Sequence, residues 1–424
     1  MRKNNFMTTH FHYENNEMFA ENVSLANIKE RTPFYCYSKA AIEENFKIYD
    51  TSAKQIGLEY TICYAIKTNH NPKIVSILSA VGSGADIVSE GELYLAKKCG
   101  INPKKIVFSG IGKTSTEIDE AISCGIAQIN IESASEADLI VARAKTLNKK
   151  ANVAIRLNPD VNAETHEKIT TGKKENKFGV SYAEALDIYR KLYESRAVNC
   201  SGIDLHIGSQ ILNSSPFKKA FTRAASFINN LKNIGINIDT VDVGGGIGIK
   251  YSDSDNCDTT ALINEYMKTI KTIFGGTAKK IIFEPGRFLV GNAGILVTKI
   301  IHIKKTENKN FIIVDAGMND LIRPALYDAR HDIFPVRKAA SIDNSILYSI
   351  VGPICESSDI FTESYTRSEP HVDDLLAIMA AGAYGSSMSS NYNMRPLAAE
   401  IIIDGSRAEI IRRRQTYEDI LRGC

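Results

Sequence analysis

The sequence has no Cys-x-x-Cys pair, no long apolar run and almost no net charge, and each absence excludes a class of protein. Its 8 cysteines are scattered, so neither a zinc knuckle nor a disulfide framework is indicated. The nearest approach to a membrane span, residues 281–301, is interrupted by Glu284 and Arg287, and the polar start through His12 lacks a signal peptide's apolar core. A net charge of +2 gives no reason to expect nucleic acid or an anionic membrane as a partner. We therefore expect a cytoplasmic protein that acts on a small molecule.

Eight short apolar runs follow one another along the chain, separated by polar turns and amphipathic helical segments. The runs are residues 61–66, 85–88, 106–108, 128–131, 153–157, 202–206, 240–243 and 281–283. Eight strands, most with a crossover helix, within about 230 residues are typical of a (β/α)8 barrel. A doubly wound open sheet is the alternative that this pattern leaves open.

The pattern changes after Arg287, where apolar runs alternate with turn residues and no long helix intervenes. These runs are residues 296–303, 311–314, 346–351, 375–379 and 398–403. A composition of 44% hydrophobic and 24% charged residues is that of a globular chain, and 424 residues are enough for two cores. We predict a barrel domain over residues 34–287 and an antiparallel β domain, of sandwich or barrel type, over residues 288–424 together with 1–33.

The stretch 60–69, Tyr-Thr-Ile-Cys-Tyr-Ala-Ile-Lys-Thr-Asn, predicts a buried strand that presents Lys67 at its carboxyl end. A lysine at the mouth of an apolar strand loses hydration, which favours the neutral amine, a nucleophile toward aldehydes. This is the chemistry by which a lysine forms a Schiff base with pyridoxal phosphate. For an isolated strand-end lysine, an ion pair or a side chain that extends to solvent is the commoner explanation, so the argument depends on the rest of the chain.

Polar, charged and glycine residues follow most of the predicted barrel strands, at the end where the active site of such a barrel lies. They include Lys67, Asp86, Ser109, Glu132, Arg156, His206, Ser209, Gly244, Gly245, Gly246, Glu284, Pro285, Gly286 and Arg287. Loops are polar because they are exposed, and this accounts for Ser109 or Glu132. It accounts less well for a lysine, an arginine, a histidine, three glycines and a glutamate on one rim.

Several of these groups could bind a ligand that has an aromatic ring and a phosphate. Residues 244–246 let backbone N–H groups approach an anion, and the dipole of the helix that follows favours phosphate. Their spacing is not the G-x-G-x-x-G of dinucleotide-binding folds. His206 presents a flat ring that can stack on a planar cofactor, Ser209 can donate to phosphate, and Glu284 can hold a proton on a pyridine nitrogen. The ordinary alternatives are a turn filler, a hydrogen-bonded core histidine and an ion pair with a nearby arginine.

A series of short motifs occurs in one order along the chain. They are Tyr-Ala-Ile-Lys-Thr-Asn at 64–69, His-x-Lys-Ile-x-Thr-Gly at 166–172, Asn-Lys-Phe-Gly at 176–179, His-Ile-Gly-Ser-Gln at 206–210, Gly-Gly-Gly-Ile-Gly at 244–248, Glu-Pro-Gly-Arg at 284–287, Arg-Pro-Ala-Leu-Tyr at 323–327, Gly-Pro-x-Cys-Glu-Ser-x-Asp at 352–359 and Gly-Ala-Tyr at 382–384. The series resembles that of the diaminopimelate decarboxylase family, whose members have an alanine-racemase-like barrel and use pyridoxal 5'-phosphate. One departure is Thr68, where the family more often has alanine.

The resemblance implies a role for each motif. The cofactor-binding residues that it implies, together with those placed on the barrel rim, are Lys67 for the covalent bond, His206 against the ring, Glu284 at the pyridine nitrogen, and Asp86, Arg156, Ser209, Gly244, Gly245, Gly246, Pro285, Gly286, Arg287 and Tyr384. For the substrate it implies Arg287, Arg323 and Tyr327 at the distal carboxylate, Glu356 at the distal ammonium, Tyr384 near both ligands, and Cys355 as proton donor. A substrate with two amino-acid ends needs such arginines and such an acid. In the family, Cys355 and Glu356 enter the partner's site, so a homodimer with shared active sites is implied, and no metal.

Three other functions fit parts of the sequence. A decarboxylase of the same class can act on ornithine, arginine or a carboxylated polyamine, although Glu356 and residues 323–327 favour a dicarboxylic, diamino substrate. A racemase would place an arginine instead of Glu284 opposite the pyridine nitrogen. A cofactor carrier without catalysis resembles the barrel alone, so residues 288–424 count against it.

Overall fold

The computed structural model describes residues 9–162, 176–252, 255, 257–338, 346–366 and 369–424. The predicted motif at 166–172 and the first eight residues of the predicted β domain lie outside the described residues. The chain divides into two units. One, the barrel unit, comprises Phe46–Gly248 and Cys257–Phe288, and the other, the β unit, comprises Met1–Asn45, Ile249–Asn256 and Leu289–Cys424.

The described residues form the strands and helices of a barrel and the strands of further sheets, with the following bounds. The strands are β1 (Phe11–Glu14), β2 (Glu17–Ala20), β3 (Val23–Ser24), β4 (Phe34–Ser38), β5 (Glu59–Ala65), β6 (Gly84–Ile87), β7 (Ile106–Phe108), β8 (Gln128–Ile131), β9 (Ala151–Leu157), β10 (Val198–Leu205), β11 (Thr240–Asp242), β12 (Lys280–Phe283), β13 (Gly294–Lys305), β14 (Asn310–Val314), β15 (Ile333–Pro335), β16 (Tyr348–Val351), β17 (Ile360–Tyr365), β18 (Leu375–Ile378), β19 (Ala399–Asp404) and β20 (Arg407–Arg412). The helices are α1 (Lys39–Lys54), α2 (Pro72–Ala80), α3 (Glu90–Lys98), α4 (Ser115–Cys124), α5 (Ala134–Thr146), α6 (Tyr182–Glu194), α7 (Ser215–Asn233), α8 (Thr259–Phe274), α9 (Arg287–Val290), α10 (Arg323–Tyr327) and α11 (Tyr417–Leu421).

Strands β5 to β12 pair in parallel and close into a barrel in the order β10-β11-β12-β5-β6-β7-β8-β9. Each of the eight runs identified in the sequence overlaps one of these strands, so the predicted (β/α)8 barrel is confirmed. The closure excludes the open sheet, because β12 pairs with β5 and β9 pairs with β10, leaving no edge.

Side-chain caps fix where several barrel helices begin and therefore how long the preceding loops are. The cap residue accepts a hydrogen bond from a backbone N–H of the first turn in α2 (Asn71), α3 (Ser89), α4 (Thr114), α5 (Ser133) and α6 (Ser181). Such a cap satisfies one of the N–H groups that a helix start leaves unpaired. The capped loops before α2, α3, α4 and α5 are short and hold the strand-end residues in place at the barrel mouth.

The β unit contains a sheet in the order β17-β16-β14-β13-β4-β19-β20, to which β15 and β18 are attached, and a separate sheet β1-β2-β3. The sheet is mostly antiparallel, as predicted, but β14 pairs in parallel with β16 and β19 pairs in parallel with β4. Strand β4 differs from the prediction, which placed residues 34–38 in the barrel domain. All five of its residues are buried, and it bonds to β13 on one edge and β19 on the other. The segment 249–256 likewise belongs to the β unit.

Within the part of the chain that the structure describes, we find no helix that is both long enough and apolar enough to cross a bilayer.

Candidate active site

Lys67 lies in a short 3-10 turn, Ile66–Thr68, directly after β5. Its Nζ atom is 2.8 Å from Oδ2 of Asp86, a wholly buried residue of β6, while 37% of the Lys67 side chain is exposed. The amine is therefore anchored by a carboxylate and still accessible from the barrel mouth. A backbone hydrogen bond fixes the residue that precedes this turn, because Ala65 N donates to Pro285 O at 3.2 Å.

Arg156 on β9 is the centre of a buried charge cluster. Its Nη1 atom is 2.9 Å from Glu132 Oε1, and its Nε atom is 3.7 Å from Asp204 Oδ2. Burial raises the pKa of Asp204 to about 7, although the Arg156 charge lowers it in part. Glu132 also accepts the backbone N–H groups of Gly110 and Gly179 at 2.9 and 3.0 Å. One carboxylate thus fixes the arginine and two loops of the mouth.

His206 follows β10 and contacts the glycine turn after β11. Gly245 N donates to His206 Nδ1 at 3.3 Å, so Nδ1 is the accepting nitrogen. Burial and the positive charges of Arg156 and Lys67 hold the pKa of His206 well below its ordinary value. The imidazole is therefore neutral and carries its hydrogen on Nε2. A neutral imidazole is better suited than an imidazolium to pack against another aromatic ring.

The glycine turn brings backbone very close to its neighbours. A Cβ atom on Gly244 would lie 2.4 Å from Leu205 O, and one on Gly246 would lie 2.6 Å from Gly208 O. Gly244 and Gly246 have φ of 66° and 111°, conformations that favour glycine. One expectation was wrong: no helix begins within the described residues 247–252 that follow the turn. Ile247 instead pairs in parallel with Ile211, and α8 starts at Thr259.

Arg287 begins α9 and contacts the loop after β10. Its Nη2 atom donates to Ser209 Oγ at 3.1 Å, and the arginine side chain is nearly buried. Gly286 precedes it at a point where a Cβ atom would lie 2.1 Å from Thr68 Oγ1. The Glu-Pro-Gly-Arg motif thus packs directly onto the turn that carries Lys67.

Glu284 is buried at the carboxyl end of β12. Ser109 Oγ donates to its Oε1 atom at 3.2 Å. Burial, and then the negative charges of Asp242, Asp86 and Asp204, raise the pKa of Glu284 well above its ordinary value, while Lys67 opposes this. Carboxylate oxygens of Asp204, Asp242 and Glu284 lie within 4.8 Å of one another. Like charges this close, out of water, favour a protonated carboxyl.

The β unit holds the predicted substrate residues Arg323 and Tyr327 at the two ends of α10. The Arg323 guanidinium lies 4.4 Å from the centre of the Tyr251 ring, and its Nη1 atom is 3.2 Å from Nε2 of His331. His331 Nδ1 is 2.8 Å from Met379 O, so Nδ1 is the donor and Nε2 the acceptor. Arg323 is thereby fixed by packing and by hydrogen bonding.

Cys355 and Glu356 lie on an exposed turn of the β unit that is held from several sides. Cys355 N donates to Asn393 Oδ1 at 3.0 Å, and Tyr392 Oη donates to Glu356 Oε2 at 3.0 Å. The buried Asp359 carboxylate accepts Ile354 N at 2.8 Å and Met318 N at 2.6 Å. The turn is therefore pre-shaped, with the thiol facing outward. Tyr384, also in this unit, has the left-handed φ of 55°.

The barrel brings together the predicted residues Lys67, Asp86, Arg156, His206, Ser209, Gly244, Gly245, Gly246, Glu284, Pro285, Gly286 and Arg287 on the carboxyl ends of its strands. Arg323, Tyr327, Cys355, Glu356 and Tyr384 belong to the β unit. Sequence analysis missed Gln128, Asn130 and Asp242, buried polar residues inside the barrel. Gln128 and Asn130 are two apart in one strand and so face the same side, which is the signal that could have revealed them.

Comparison with known proteins identifies the family. Residues 39–291 match the model described as "Pyridoxal-dependent decarboxylase, pyridoxal binding domain". The diaminopimelate decarboxylase of Aquifex aeolicus is 43% identical over 96% of this chain and 96% of its own, and that of Pseudomonas aeruginosa is 41% identical over 97% and 98%.

Solved structures agree. The diaminopimelate decarboxylase of Helicobacter pylori complexed with L-lysine has a TM-score of 0.88 and 40% identity, covering 93% of this chain and 97% of that chain. The enzyme of M. jannaschii in co-complex with L-lysine has a TM-score of 0.91 and 37% identity, covering 97% and 96%. With a lysine and a buried glutamate at one barrel mouth, and likeness along nearly the whole length, this chain belongs to the diaminopimelate decarboxylase family of pyridoxal-dependent decarboxylases.

Proposed function

We propose that this protein decarboxylates meso-2,6-diaminopimelate to L-lysine and CO2, the last step of lysine biosynthesis, with pyridoxal 5'-phosphate as cofactor. The observation that carries the proposal is the meeting of an accessible Lys67 amine and a buried Glu284 carboxyl at one barrel mouth, in a chain of this family. The relatives of known structure in H. pylori and M. jannaschii bind L-lysine, the product of such a reaction.

The residues at the barrel mouth fit this cofactor. The Asp86 Oδ1 atom is buried and has no hydrogen-bond partner among the described residues, and the glycine turn offers backbone where side chains would collide. Donors for a phosphate are present in Ser209, Arg287 and the backbone N–H of Gly246, since the N–H groups of Gly244 and Gly245 donate to Asp242 and His206. A neutral imidazole, at His206, suits one face of an aromatic ring.

Pyridoxal 5'-phosphate supplies, when bound, an aldehyde that captures an amine and a ring that withdraws electrons from the carbon that loses CO2. Lys67 Nζ is the nucleophile for that aldehyde, and Asp86 Oδ2 holds the ammonium and takes its proton. Glu284 would hold the ring nitrogen, His206 would pack on the ring, and Ser209, Arg287 and the glycine turn would hold the phosphate.

Replacing Glu284 by glutamine should leave the cofactor bound and slow the turnover. Glutamine keeps the size of the side chain and can still accept a hydrogen bond from Ser109, but it cannot exchange a proton with the ring nitrogen. Loss of one such preorganised charge costs on the order of 10² or more in rate. The measurement is kcat beside cofactor absorbance; an unchanged kcat would remove Glu284 from the site.

For the substrate, we propose that the non-reacting end is bound by the residues that the family motifs imply. Arg323, Tyr327 and Arg287 bind its carboxylate, because a planar guanidinium forms paired bonds with a carboxylate. Glu356 binds its ammonium, and Tyr384 lies beside cofactor and substrate. Cys355 Sγ returns a proton to the carbon that has lost CO2. The outward thiol on a pre-shaped turn supports this role.

We further propose that the protein acts as a cytoplasmic homodimer whose active sites are shared, with Cys355 and Glu356 serving the partner's cofactor. Support comes from the exposed position of Cys355 and Glu356 on the β unit and from their place in a family motif. The scattered cysteines favour a reducing compartment.

The test of function is release of CO2 and lysine from meso-diaminopimelate by purified protein loaded with cofactor. Ornithine, arginine and a carboxylated polyamine are assayed in parallel. We expect turnover of meso-diaminopimelate alone, because only this substrate presents both a carboxylate and an ammonium at its distal end. Faster turnover of ornithine or arginine would instead assign the protein to the related decarboxylases.

A further inference from the structure

A closed ring of hydrogen bonds inside the barrel joins Glu284 to Ser109, Asn130, Gln128 and Asp242. Ser109 Oγ is 3.2 Å from Glu284 Oε1 and 3.0 Å from Asn130 Nδ2. Gln128 Nε2 is 2.7 Å from Asn130 Oδ1 and 3.4 Å from Asp242 Oδ2. The backbone closes the ring, because Gly244 N donates to Asp242 Oδ1 at 3.0 Å and Glu284 N donates to Gly244 O at 2.8 Å.

The direction of each bond in this ring follows from the number of hydrogens available. The Asn130 oxygen accepts from Gln128, so its nitrogen is the donor to Ser109. Ser109 has one hydroxyl hydrogen, and Glu284 Oε1, at 3.2 Å, is the acceptor to which it is donated. Oε1 is therefore an acceptor, and Oε2 is the oxygen of Glu284 that can carry a proton.

The charges around Glu284 decide whether that proton is present. Asp242 on β11, Asp86 on β6 and Asp204 on β10 all disfavour a second negative charge, while Lys67 after β5 favours one. Arg156 on β9 also faces the group. Asp86 is ion-paired with Lys67 at 2.8 Å and Asp204 lies 3.7 Å from Arg156, so the charges of those two carboxylates are partly balanced.

The negative charge of Asp242 is stabilised by hydrogen-bond donors and not by a neighbouring cation. Burial and Asp204 raise the pKa of Asp242, but the N–H of Gly244 lowers it. Asp242 accepts hydrogen bonds from Gly244, Gln128 and the side chain of Glu284, whereas Glu284 accepts one from Ser109. Hydrogen bonds to an ionised carboxylate stabilise it. A single proton on the pair therefore resides on Glu284, and the negative charge on Asp242.

We propose that Asp242 and Ser109 are positioning residues that act through Glu284: the charge of Asp242 keeps a proton on Glu284 until the cofactor binds, and the hydroxyl of Ser109, by donating to Oε1, directs that proton to Oε2. The inference rests on the proposed function, because the ring nitrogen belongs to pyridoxal 5'-phosphate. In the step, the O–H bond at Oε2 breaks and its electron pair stays on the carboxylate. The proton released from Oε2 would pass to the lone pair of the ring nitrogen. The barrel interior, and not the solvent, supplies that proton.

The test compares how many protons the cofactor-free wild type and the Asp242→Asn variant exchange with solvent when they bind pyridoxal 5'-phosphate. Asparagine keeps the shape and can still accept the N–H of Gly244, but it removes the charge that keeps Glu284 neutral. The variant should then start with an ionised Glu284 and take up about one more proton per site than the wild type near neutral pH. Calorimetry in buffers of different ionisation enthalpy measures this number.

The matched control is Asp239→Asn, the same substitution three positions earlier. Asp239 is exposed and ion-paired with Lys279 at 3.0 Å, outside the ring, so its proton count should equal that of the wild type. An equal count for Asp242→Asn would overturn the inference. If the wild type itself forms no borohydride-stable adduct at Lys67, the proposed function fails instead, which separates the two results.

Should Asp242→Asn fail to fold, Ser109→Ala tests the same ring with the opposite sign. Removing the hydroxyl deprives the ionised Glu284 of its donor at Oε1, so Glu284 should stay protonated to a higher pH. The pH at which the proton count changes should therefore move upward relative to the wild type. No movement, or movement downward, would contradict the inference.

Discussion

Replacing Lys67 by alanine is expected to abolish both the activity and the covalent cofactor adduct that borohydride traps in the wild type. The amine is the nucleophile at the barrel mouth, anchored 2.8 Å from Asp86 and 37% exposed, and alanine offers no nitrogen for a covalent bond. Peptide mapping of the reduced protein should place the cofactor on Lys67. Absorbance of the reduced adduct and assay of CO2 measure the two losses.

Lys113 is the matched control for this experiment, since it is also a lysine of the barrel. Its side chain is 1% exposed, and its Nζ atom donates to Asn130 O and Glu136 Oε1, both at 2.7 Å. Packed and bonded in this way, it cannot reach an incoming aldehyde. No reduced adduct should therefore map to Lys113, and an adduct found there or on a lysine other than 67 would refute the assignment of the nucleophile.

Replacing Cys355 by alanine is expected to slow the return of the proton by about 10² to 10⁴, the usual scale of a general acid, while the Lys67 adduct still forms. Mixing this variant with Lys67→Ala should restore activity if the sites are shared. In a mixed dimer, one site then has both native residues and the other has neither. With random re-association about half the dimers are mixed, so up to roughly a quarter of the wild-type activity should return.

Cys424→Ala serves as the control, because Cys424 is also an exposed cysteine of the β unit. It should keep wild-type activity, and mixing it with Lys67→Ala should give only the activity of its own sites. Exchange of subunits is verified with differently tagged chains. If mixed dimers form and the Cys355 and Lys67 variants do not complement, Cys355 acts in its own chain's site and the shared-site proposal is wrong.

The barrel could be predicted because its evidence is local. Each strand is a short apolar run and each helix has an apolar face. Cap residues such as Asn71, Thr114 and Ser133 directly precede the helices that they start. The site residues followed from the barrel, because whatever comes directly after a strand lies at the mouth. Lys67, His206 and Glu284 were located in this way.

Which strands pair with one another could not be predicted, because pairing joins segments that lie far apart in the sequence. Strand β4 is a short buried run that reads as a barrel strand would, and only its bonds to β13 and β19, more than 250 residues further along the chain, assign it to the other sheet. The ring around Glu284 is non-local in the same way. Ser109, Asn130 and Asp242 come from three strands or strand ends, and their meeting depends on the register of those strands.

The chain passes between the two units four times, at residues 45–46, 248–249, 256–257 and 288–289. The segment 249–256 ties the barrel to the β unit in sequence. Its residues Ile249 and Tyr251 are buried in the same apolar core as Phe34 and Ile295 of the β unit. A single cut therefore cannot release the barrel as a module. A gene fragment ending at residue 288 would encode all eight barrel strands and would leave Ile249 and Tyr251 without the part of their core that residues 295–403 supply. Recombination that exchanges the β unit for another would have to replace three separate segments at once.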